Sequence, residues 1–585
     1  MNRDEIQATP IWQLYEKGRN YHRITGIYTD TDRNYRMYNG DQWAGAKLGD
    51  VEPVQKNFIK PIVKYKVSVI HDNLYGIVYS SQNFESRVFQ QEAGKYCDML
   101  NRYAARVWEK DKMDFKGRRI TKDSAINDEG IIYVDFDQEN MTPVNETIKK
   151  NDIYYGNEND DDIQNQPYIL IRKRMPVSNA IDLALRHGAS HEDTMFILGD
   201  NDNYEESGEA AKEEVDNMVT VVYKMYKKSG TVHFAVSTRY VEIAKDMDTG
   251  LTLYPVAHFN WEEKEGSARG EGEVRFLIPN QIEVNRTEMR RVMTVKLQAY
   301  PQKVVDTTKV SNPEALNRVG VTIKTQGQNV DDVHKVVGVI PPAQMSPDVV
   351  KLQEDLINVT RDLAGAGDTA TGQVNPESAS GRAILAVQQA SQVPMTEQKE
   401  SYKNFIEDLA RIWLEYLIVY SADGVNMEQV DTDPQTGEEI IHLVTVPQSV
   451  LKQLQASVKI DVTPKSVYDR FAQEQTIENL MINGFFNPQR VAELDVYYKI
   501  LPDDSVAPKT AIGEAIKYIK EEQRRIAMFQ AKAQEMMHRA QQFLMEDPDG
   551  QADQIADARR KIQMQSAAEQ DMAAEEQRID QAVNN

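Results

Sequence analysis

Residues 273–300 (EVRFLIPNQIEVNRTEMRRVMTVKLQAY) predict one helix and residues 349 to about 364 a second, while the stretch between them holds only short β-type runs. The first helix is entered through a Gly-rich turn, Gly266 to Gly272, carries Pro279 near its start and ends at Pro301. The second opens on Ser346-Pro347-Asp348, a serine cap with proline in the first turn, and stops at Gly365. Runs at 303–305, 319–323 and 336–340, separated by Asn-Pro and Gly-Gln turns, make residues 301–345 a small α/β insert. Segments this thin cannot bury a core within one subunit. The pattern therefore calls for other elements to cover them.

Upstream the chain is mixed. Residues 6–38 are polar and helical with aromatic punctuation, and the helix closes at Asn39-Gly40. Ile59, Ile62, Val63, Val67, Ile70 and Leu74 recur at three and four, which predicts an amphipathic helix over 59–78, and 96–113 repeats that character. Residues 130–136 (GIIYVDF), 167–172, 220–226 and 231–236 predict strands, the last two joined as a hairpin through Lys228-Ser229-Gly230. Two acidic stretches interrupt them: 151–166 with five acids and no base, and 200–216 with eight acids and one Lys. Neither has the Gly and Glu register of an EF-hand, so both are expected to be solvated surface loops.

Downstream, residues 365–381 (GAGDTATGQVNPESASG) contain no large apolar residue and predict a mobile loop. A long helix from Arg382 to about Tyr420, kinked at Pro394, comes next. It is followed by a hairpin around Asp431-Thr432-Asp433-Pro434, a strand at 457–462, and short helices from about Tyr468 and Gln489. Ile512, Ile516, Ile519, Ile526, Ala533, Met537, Ala540 and Leu544 then follow a 3.5-residue repeat, with Gln523 and Gln530 in the seam. Asp547-Pro548-Asp549-Gly550 breaks that helix, and 551–585 is either a second helix or a frayed tail.

The length of 585 residues implies several substructures, and a net charge of −23 excludes a protein that coats DNA. Within 272–345, however, ten bases face seven acids, which suits either a polyanion or acidic neighbours. The single cysteine, Cys97, excludes an intrachain disulfide and cysteine-based metal sites. No secretory pattern or apolar span of about 20 residues is present, so a soluble intracellular protein without a membrane partner is expected.

Catalytic signals are missing. Gly94-Lys95 is followed by Tyr96 rather than Ser or Thr, and Gly365-Ala366-Gly367 with Gly372 is preceded by a helix where a nucleotide cradle needs a strand. His187 and His191 flank Gly188 and predict a surface helix end, His71-Asp72 stands alone, and there is no Gly-x-Ser-x-Gly elbow. No catalytic residue, metal or cofactor is expected, and the chain is read as no enzyme.

Three groups of residues carry a family resemblance. Tyr38-Asn39-Gly40-Asp41-Gln42-Trp43 resembles a Tyr-x-Gly-x-Gln-Trp signature and is followed by Asn57-Phe58. Gly270 and Gly272, then Gln281 and Asn285, resemble a Gly-x-Ser…Gln…Asn pattern, with Glu273 or Val274 where Ser or Glu is common. Ala379-Ser380-Gly381-Arg382-Ala383 resembles a small-Ser-Gly-x-Ala turn that opens a long helix. In this order, over nearly the whole chain, they resemble the portal (head-to-tail connector) proteins of tailed bacteriophages.

That resemblance implies an α+β, predominantly helical subunit: a wing (1–270 and 382–504), stem helices (271–300 and 346–364), a clip (301–345), a tunnel loop (365–381) and a helical crown with the C-terminal tail (505–585). It implies a ring, usually of twelve subunits, at one capsid vertex of the virion, assembled in the host cytoplasm. Double-stranded DNA would pass through it without sequence readout. Terminase, head-tail adaptors and the major capsid protein would be its partners.

Carried over by position, Gly365, Gly367, Asp368, Thr369, Thr371, Gly372, Gln373, Asn375 and Arg382 would face the DNA channel, Arg382 alternatively pairing with Asp368 or Glu377. Arg286, Arg290, Arg291, Lys296, Lys303, Lys309, Arg318, Lys324 and Lys335 would be the basic residues of stem and clip. A coiled-coil scaffolding protein is the alternative, favoured by the C-terminal repeat. A DNA-processing enzyme comes third.

Overall fold

The computed structural model describes residues 7–48, 52–71, 75–80, 87–200, 217–318, 320–326, 336–341, 344–367, 393–432, 439–457, 459–461 and 509–546, with the short pieces 480 and 559–560. Two compact units are distinguished, Met1–Ser466 and Val467–Asn585.

The first unit begins with α1 (Pro10–Thr25) and α2 (Ile27–Asn39), separated by Gly26 at φ +78°. The single helix expected over 6–38 is thus two, because a left-handed residue cannot lie inside a right-handed helix. Gly40, at φ +98°, ends α2 where the Asn-Gly signal placed the stop. Then come α3 (Ile59–Ile70), β1 (Val78–Ser80), α4 (Arg87–Lys110) and α5 (Met113–Ile126). The 59–78 helix is therefore shorter than its periodicity suggested, and Val78 belongs to a strand.

Strands β2 (Glu129–Asp137) and β3 (Thr142–Ile148) form a hairpin. β4 (Ile153–Tyr155), β5 (Tyr168–Pro176), α6 (Val177–Arg186), α7 (His191–Thr194), β6 (Met218–Lys228), β7 (Thr231–Ser237), β8 (Glu242–Asp248) and β9 (Val256–Asn260) follow. They build two antiparallel sheets, β3-β2-β9 and β4-β5-β6-β7-β8. The β6–β7 turn is the expected one, with Ser229 at φ +56° and Gly230 at φ +94°, the pair of positive angles a two-residue hairpin of this twist needs.

The stretch 151–166 is not the simple solvated loop its charge suggested. Ile153, Tyr154 and Tyr155 are buried and pair with Ile171, Leu170 and Ile169. His187 ends α6 and His191 begins α7, so the two histidines do not share a helix.

Next lie α8 (Glu273–Ala299), β10 (Lys303–Val305), β11 (Val337–Val339) and α9 (Pro347–Leu363). β10 and β11 pair, but 321–324 forms no strand despite its β-branched content, having only the isolated Val310–Thr325 bridge beside it. The insert also has no α-helix among its described residues, only a 3₁₀ turn at Pro313–Asn317. Downstream of the second helix, a 3₁₀ turn at Val393–Met395 leads into α10 (Thr396–Tyr420). Pro394 lies in that 3₁₀ turn, directly before α10, and residues 382–392, the first part of the expected kinked helix, lie outside the described residues. β12 (Val425–Thr432), β13 (Glu439–Val446), α11 (Gln448–Ser457) and β14 (Lys459–Asp461) complete this unit. β14 pairs with β1, whereas Ser457, expected in that strand, ends α11.

The main core lies between β3-β2-β9 and α10, which returns about 270 positions after β2 to cover that sheet. Tyr416 Oη donates to the Val134 carbonyl at 2.8 Å, Trp413 Nε1 donates to Asn145 Oδ1 at 2.9 Å, and Phe136 stacks on Tyr416 and Tyr420 at 5.4 and 5.3 Å. The five-stranded sheet is buried on both faces. Val219 and Val221 point to the α6 side with Ala180 and Ala184, while Val222 and Leu170 point to α1 with Trp12 and Tyr15, as strand alternation requires.

In the second unit the described element is α12 (Lys509–Glu546), a helix of 38 residues that the 3.5-residue repeat anticipated. The expected helices from Tyr468 and Gln489 and the tail 561–585 fall outside the described residues. The subunit is mixed α+β, about half helical, with several antiparallel sheets.

Candidate functional site

The Gly-x-Gly turn before α8 is dictated by close approach. A Cβ on Gly270 would run into the carbonyl of Glu262, and one on Gly272 would lie 2.6 Å from the backbone of Asn127. With the turn pressed against the sheet domain, α8 leaves in a fixed direction. Its first buried charge, Glu273, meets Lys66 of α3 at 2.6 Å.

About two and three turns further, Gln281 and Asn285 are almost fully buried and act as a clasp. Phe58 N–H donates to Gln281 Oε1 at 3.0 Å, Gln281 Nε2 donates to the Lys56 carbonyl at 2.7 Å, and Lys56 N–H donates to Asn285 Oδ1 at 3.1 Å. Asn285 Nδ2 donates to Gln42 Oε1 at 2.5 Å, Gln42 Nε2 to the Met37 carbonyl at 2.9 Å, and Asn57 Nδ2 to the Tyr38 carbonyl at 3.0 Å. Trp43 Nε1 reaches the Val54 carbonyl at 3.0 Å. Thus Tyr38, Gln42 and Trp43, with Asn57, Gln281 and Asn285, tie α2 and the 52–58 segment to α8, while Gly40 only ends α2 beside them. Sequence reasoning placed them in separate motifs. Their common signal is a set of amide side chains flanking a turn, able to donate and accept at once.

α8 and α9 are joined by polar groups. Gln353 Nε2 donates to Glu288 Oε2 at 2.9 Å, and Asn280 Nδ2 donates to Thr360 Oγ1 at 3.0 Å. Burial would raise the Glu288 carboxyl, but Gln353, Lys56 and Arg291 together hold it below the usual carboxylate range.

The bases of this region are largely satisfied within the chain. Arg286 and Arg290 approach Glu283 at 3.7 and 3.4 Å, Arg291 approaches Glu288 at 3.6 Å, and Lys296 pairs with Glu52 at 2.7 Å. Lys303 donates to the Leu316 carbonyl, and Lys309 lies 3.4 Å from Asp306. Arg318 and Lys324 are exposed, and Lys335 lies outside the described residues.

Of the loop 365–381, residues 365–367 are described. Gly365, at φ +69°, and Ala366 cap α9, their N–H groups donating to the carbonyls of Asp362 and Arg361 at 3.0 and 2.8 Å. Ala366 and Gly367 are buried, and a Cβ on Gly367 would strike the Asp362 carboxylate. Asp368, Thr369, Thr371, Gly372, Gln373, Asn375, Ser380, Gly381 and Arg382 lie outside the described residues.

A second buried network sits behind α8. Arg269 bridges Glu129 and Glu158, its Nε 2.8 Å from Glu158 Oε2, and His22 and His258 complete the set, the latter 3.0 Å from Glu129. Burial alone would raise Glu129, but Arg269, His258 and Lys150 overcome it and hold the carboxyl at about 2. The thiol of Cys97, buried among apolar neighbours, is pushed up to about 11 and is no nucleophile.

Among the described residues, no helix is long and apolar enough to cross a membrane, and no three His, Cys, Asp or Glu side chains gather to hold a metal. No curated protein matches the chain. The family described as Phage P22-like portal protein matches residues 19–581. With the Gly-x-Gly turn, the amide clasp and the paired helices all inside that match, the chain belongs to the phage P22-like portal protein family.

Proposed function

We propose that the chain is the subunit of a closed ring, of twelve copies, at one capsid vertex, through which DNA is packaged and later ejected and on which terminase and then head-tail adaptors dock. The family match carries this reading. Portal proteins are structural and not catalytic, and the family implies a ring oligomer, passage of DNA and a place in the virion.

In this reading α8 and α9 are the stem, 301–345 the clip, 365–381 the tunnel loop, 1–270 with 382–504 the wing, and 505–585 the crown. Exposed apolar side chains support a ring, since Val295, Tyr300, Leu352 and Leu363 are uncovered in the single subunit and need a second copy to cover them. Val304, Val321, Val339 and Ile340 of the clip are likewise exposed and offer a docking face to terminase or an adaptor.

The paired state of the arginines suits sliding. Each cation free to neutralise a phosphate would tighten the grip on DNA and act as a brake. Arg286, Arg290 and Arg291 share their charge with Glu283 and Glu288 instead.

Electron microscopy of the purified chain tests the reading. Rings with a central hole are expected, and elongated rods or compact monomers at all concentrations would overturn it.

A further inference from the structure

α8 and α9 run antiparallel, because Asn280 bonds Thr360 while Glu288, further along α8, bonds Gln353, further back along α9. That register sets Arg286 level with residues 354 and 355, and Arg290 less than one turn from the height of Asp348. At 100° per residue, Arg286 lies about 160° around α8 from Val284, whose carbonyl accepts from Gln353, and Asp355 lies about 160° around α9 from Gln353. The two charges therefore stand at one height and point away from each other, on the outer flanks of the helix pair.

The flanks differ in sign. On α8, Arg286 and Arg290 are exposed and lean on the same exposed acid, Glu283, at 3.7 and 3.4 Å, so two guanidinium groups share one carboxylate. On α9, Asp348 and Asp355 are exposed and lie one heptad apart, hence on one face. Asp348 accepts from the Ser346 hydroxyl at 3.1 Å, but neither aspartate has a cation within ion-pair reach among the described residues.

A second observation is independent of charge. Met293 follows Arg286 and Arg290 on their flank of α8, Leu352 and Val359 stand a turn to either side of Asp355 on α9, and all three are exposed. Apolar side chains set among charges mark a protein contact rather than a phosphate track, and the aspartates of α9 would repel a duplex.

We propose that the Arg286–Arg290 flank of one copy seats on the Asp348–Asp355 flank of the next, with Arg286 meeting the partner subunit's Asp355. This rests on the ring of the proposed function and names the two surfaces that close it. Because the flanks are unlike, the contact is heterologous, and each copy offers one flank to either neighbour. Arginine suits the role, since its planar fork meets a carboxylate with two parallel bonds.

The test is oxidative cross-linking of R286C/D355C. A disulfide needs Cα atoms within about 7 Å, and in one chain these two side chains point apart, so a bridge joins two copies. A denaturing gel should show a ladder rising to the full ring, with R286C alone and D355C alone unlinked. Linkage that stops at dimers would indicate a two-fold contact and overturn the proposal. Rings without a ladder would overturn it too, and would leave the ring itself standing. A parent chain that forms no rings under the microscope would overturn the ring reading and this contact with it. Charge exchange supplies a second readout. R286D and D355R should each raise the concentration at which rings dissociate at least about tenfold, with the melting temperature of the dissociated chain unchanged because both side chains are exposed. R286D/D355R should restore the parent value, and a double variant no better than the singles would overturn the pairing.

Discussion

Phe58 donates its backbone N–H to Oε1 of Gln281 at 3.0 Å, across 223 positions of sequence. The same amide, through Nε2, satisfies the Lys56 carbonyl, so one side chain closes a buried and a part-buried backbone group. Gln281→Leu keeps the volume and removes both bonds. Each orphaned group costs about 1–3 kcal/mol. The Q281L chain should therefore melt lower by several degrees, with ring assembly impaired because the take-off of α8 is no longer fixed. Equal melting temperatures for the two chains would mean that the clasp is dispensable.

Arg269 is the only cation within hydrogen-bond reach of both Glu129 and Glu158 among the described residues, and removal of its charge takes from both carboxylates their main counter-charge. Arg269→Met should cost about 3–5 kcal/mol, the range for breaking one partner out of a buried ionic set. The R269M/E129Q/E158Q triple variant should recover most of that loss, since the stranded charges go with the arginine. Thermal denaturation of the three proteins checks both statements, and a triple variant as unstable as R269M would argue that packing, not charge, is at stake.

Acid should weaken the first unit before its carboxylates protonate. Burial lowers His22 from 6.5 to about 4, and burial with help from Arg118 lowers His71 to about 4. Between these values the unfolded chain binds protons that the native one refuses, so stability is full above about pH 6.5 and falls as the pH drops to 4. Shifts of this size amount to about 3 kcal/mol for each histidine. Calorimetric melting from pH 7.5 to 4.5 should show the decline, and His71→Asn should flatten it by about half. A slope unaltered in H71N would assign the effect elsewhere.

Local signals were legible in the chain, and long-range ones were not. Ser346 caps α9, Asn39-Gly40 ends α2 and Lys228-Ser229-Gly230 turns a hairpin because each depends on a few consecutive residues. β4 was hidden because Ile153–Tyr155 lies among acids, and only its partner β5 makes it a strand. Glu158 looked like part of a solvated run of charge, yet it is bound to Arg269, 111 positions away. In the other direction, 319–323 has strand composition but no ladder partner in its described part, and composition alone does not hold a strand. The candidate site shows the same division. The clasp residues stood out in the sequence, but their meeting is a tertiary fact that no spacing encodes.

α12 gives the most direct test of how copies associate. Ile526 and Met537 of its seam are exposed, and so are Tyr518, Phe529 and Met536, which lie about 60–80° to one side of Ile526 at 100° per residue. The apolar arc is wider than a two-helix seam needs and suits a helix with a neighbour on each side, as in a closed ring. Charge placed in that seam by I526E/M537E should disfavour every copy-to-copy contact made through α12 while leaving the fold of Met1–Ser466 untouched. Mass photometry over a dilution series should then show rings dissociating at a protein concentration at least about tenfold higher than for the parent, since one lost contact of 1.4 kcal/mol suffices for that factor. A chain lacking 551–585 should dissociate at the parent concentration. Rings of I526E/M537E as persistent as those of the parent would show that α12 is not part of the interface between copies, and loss of rings on truncation would move that role to the tail.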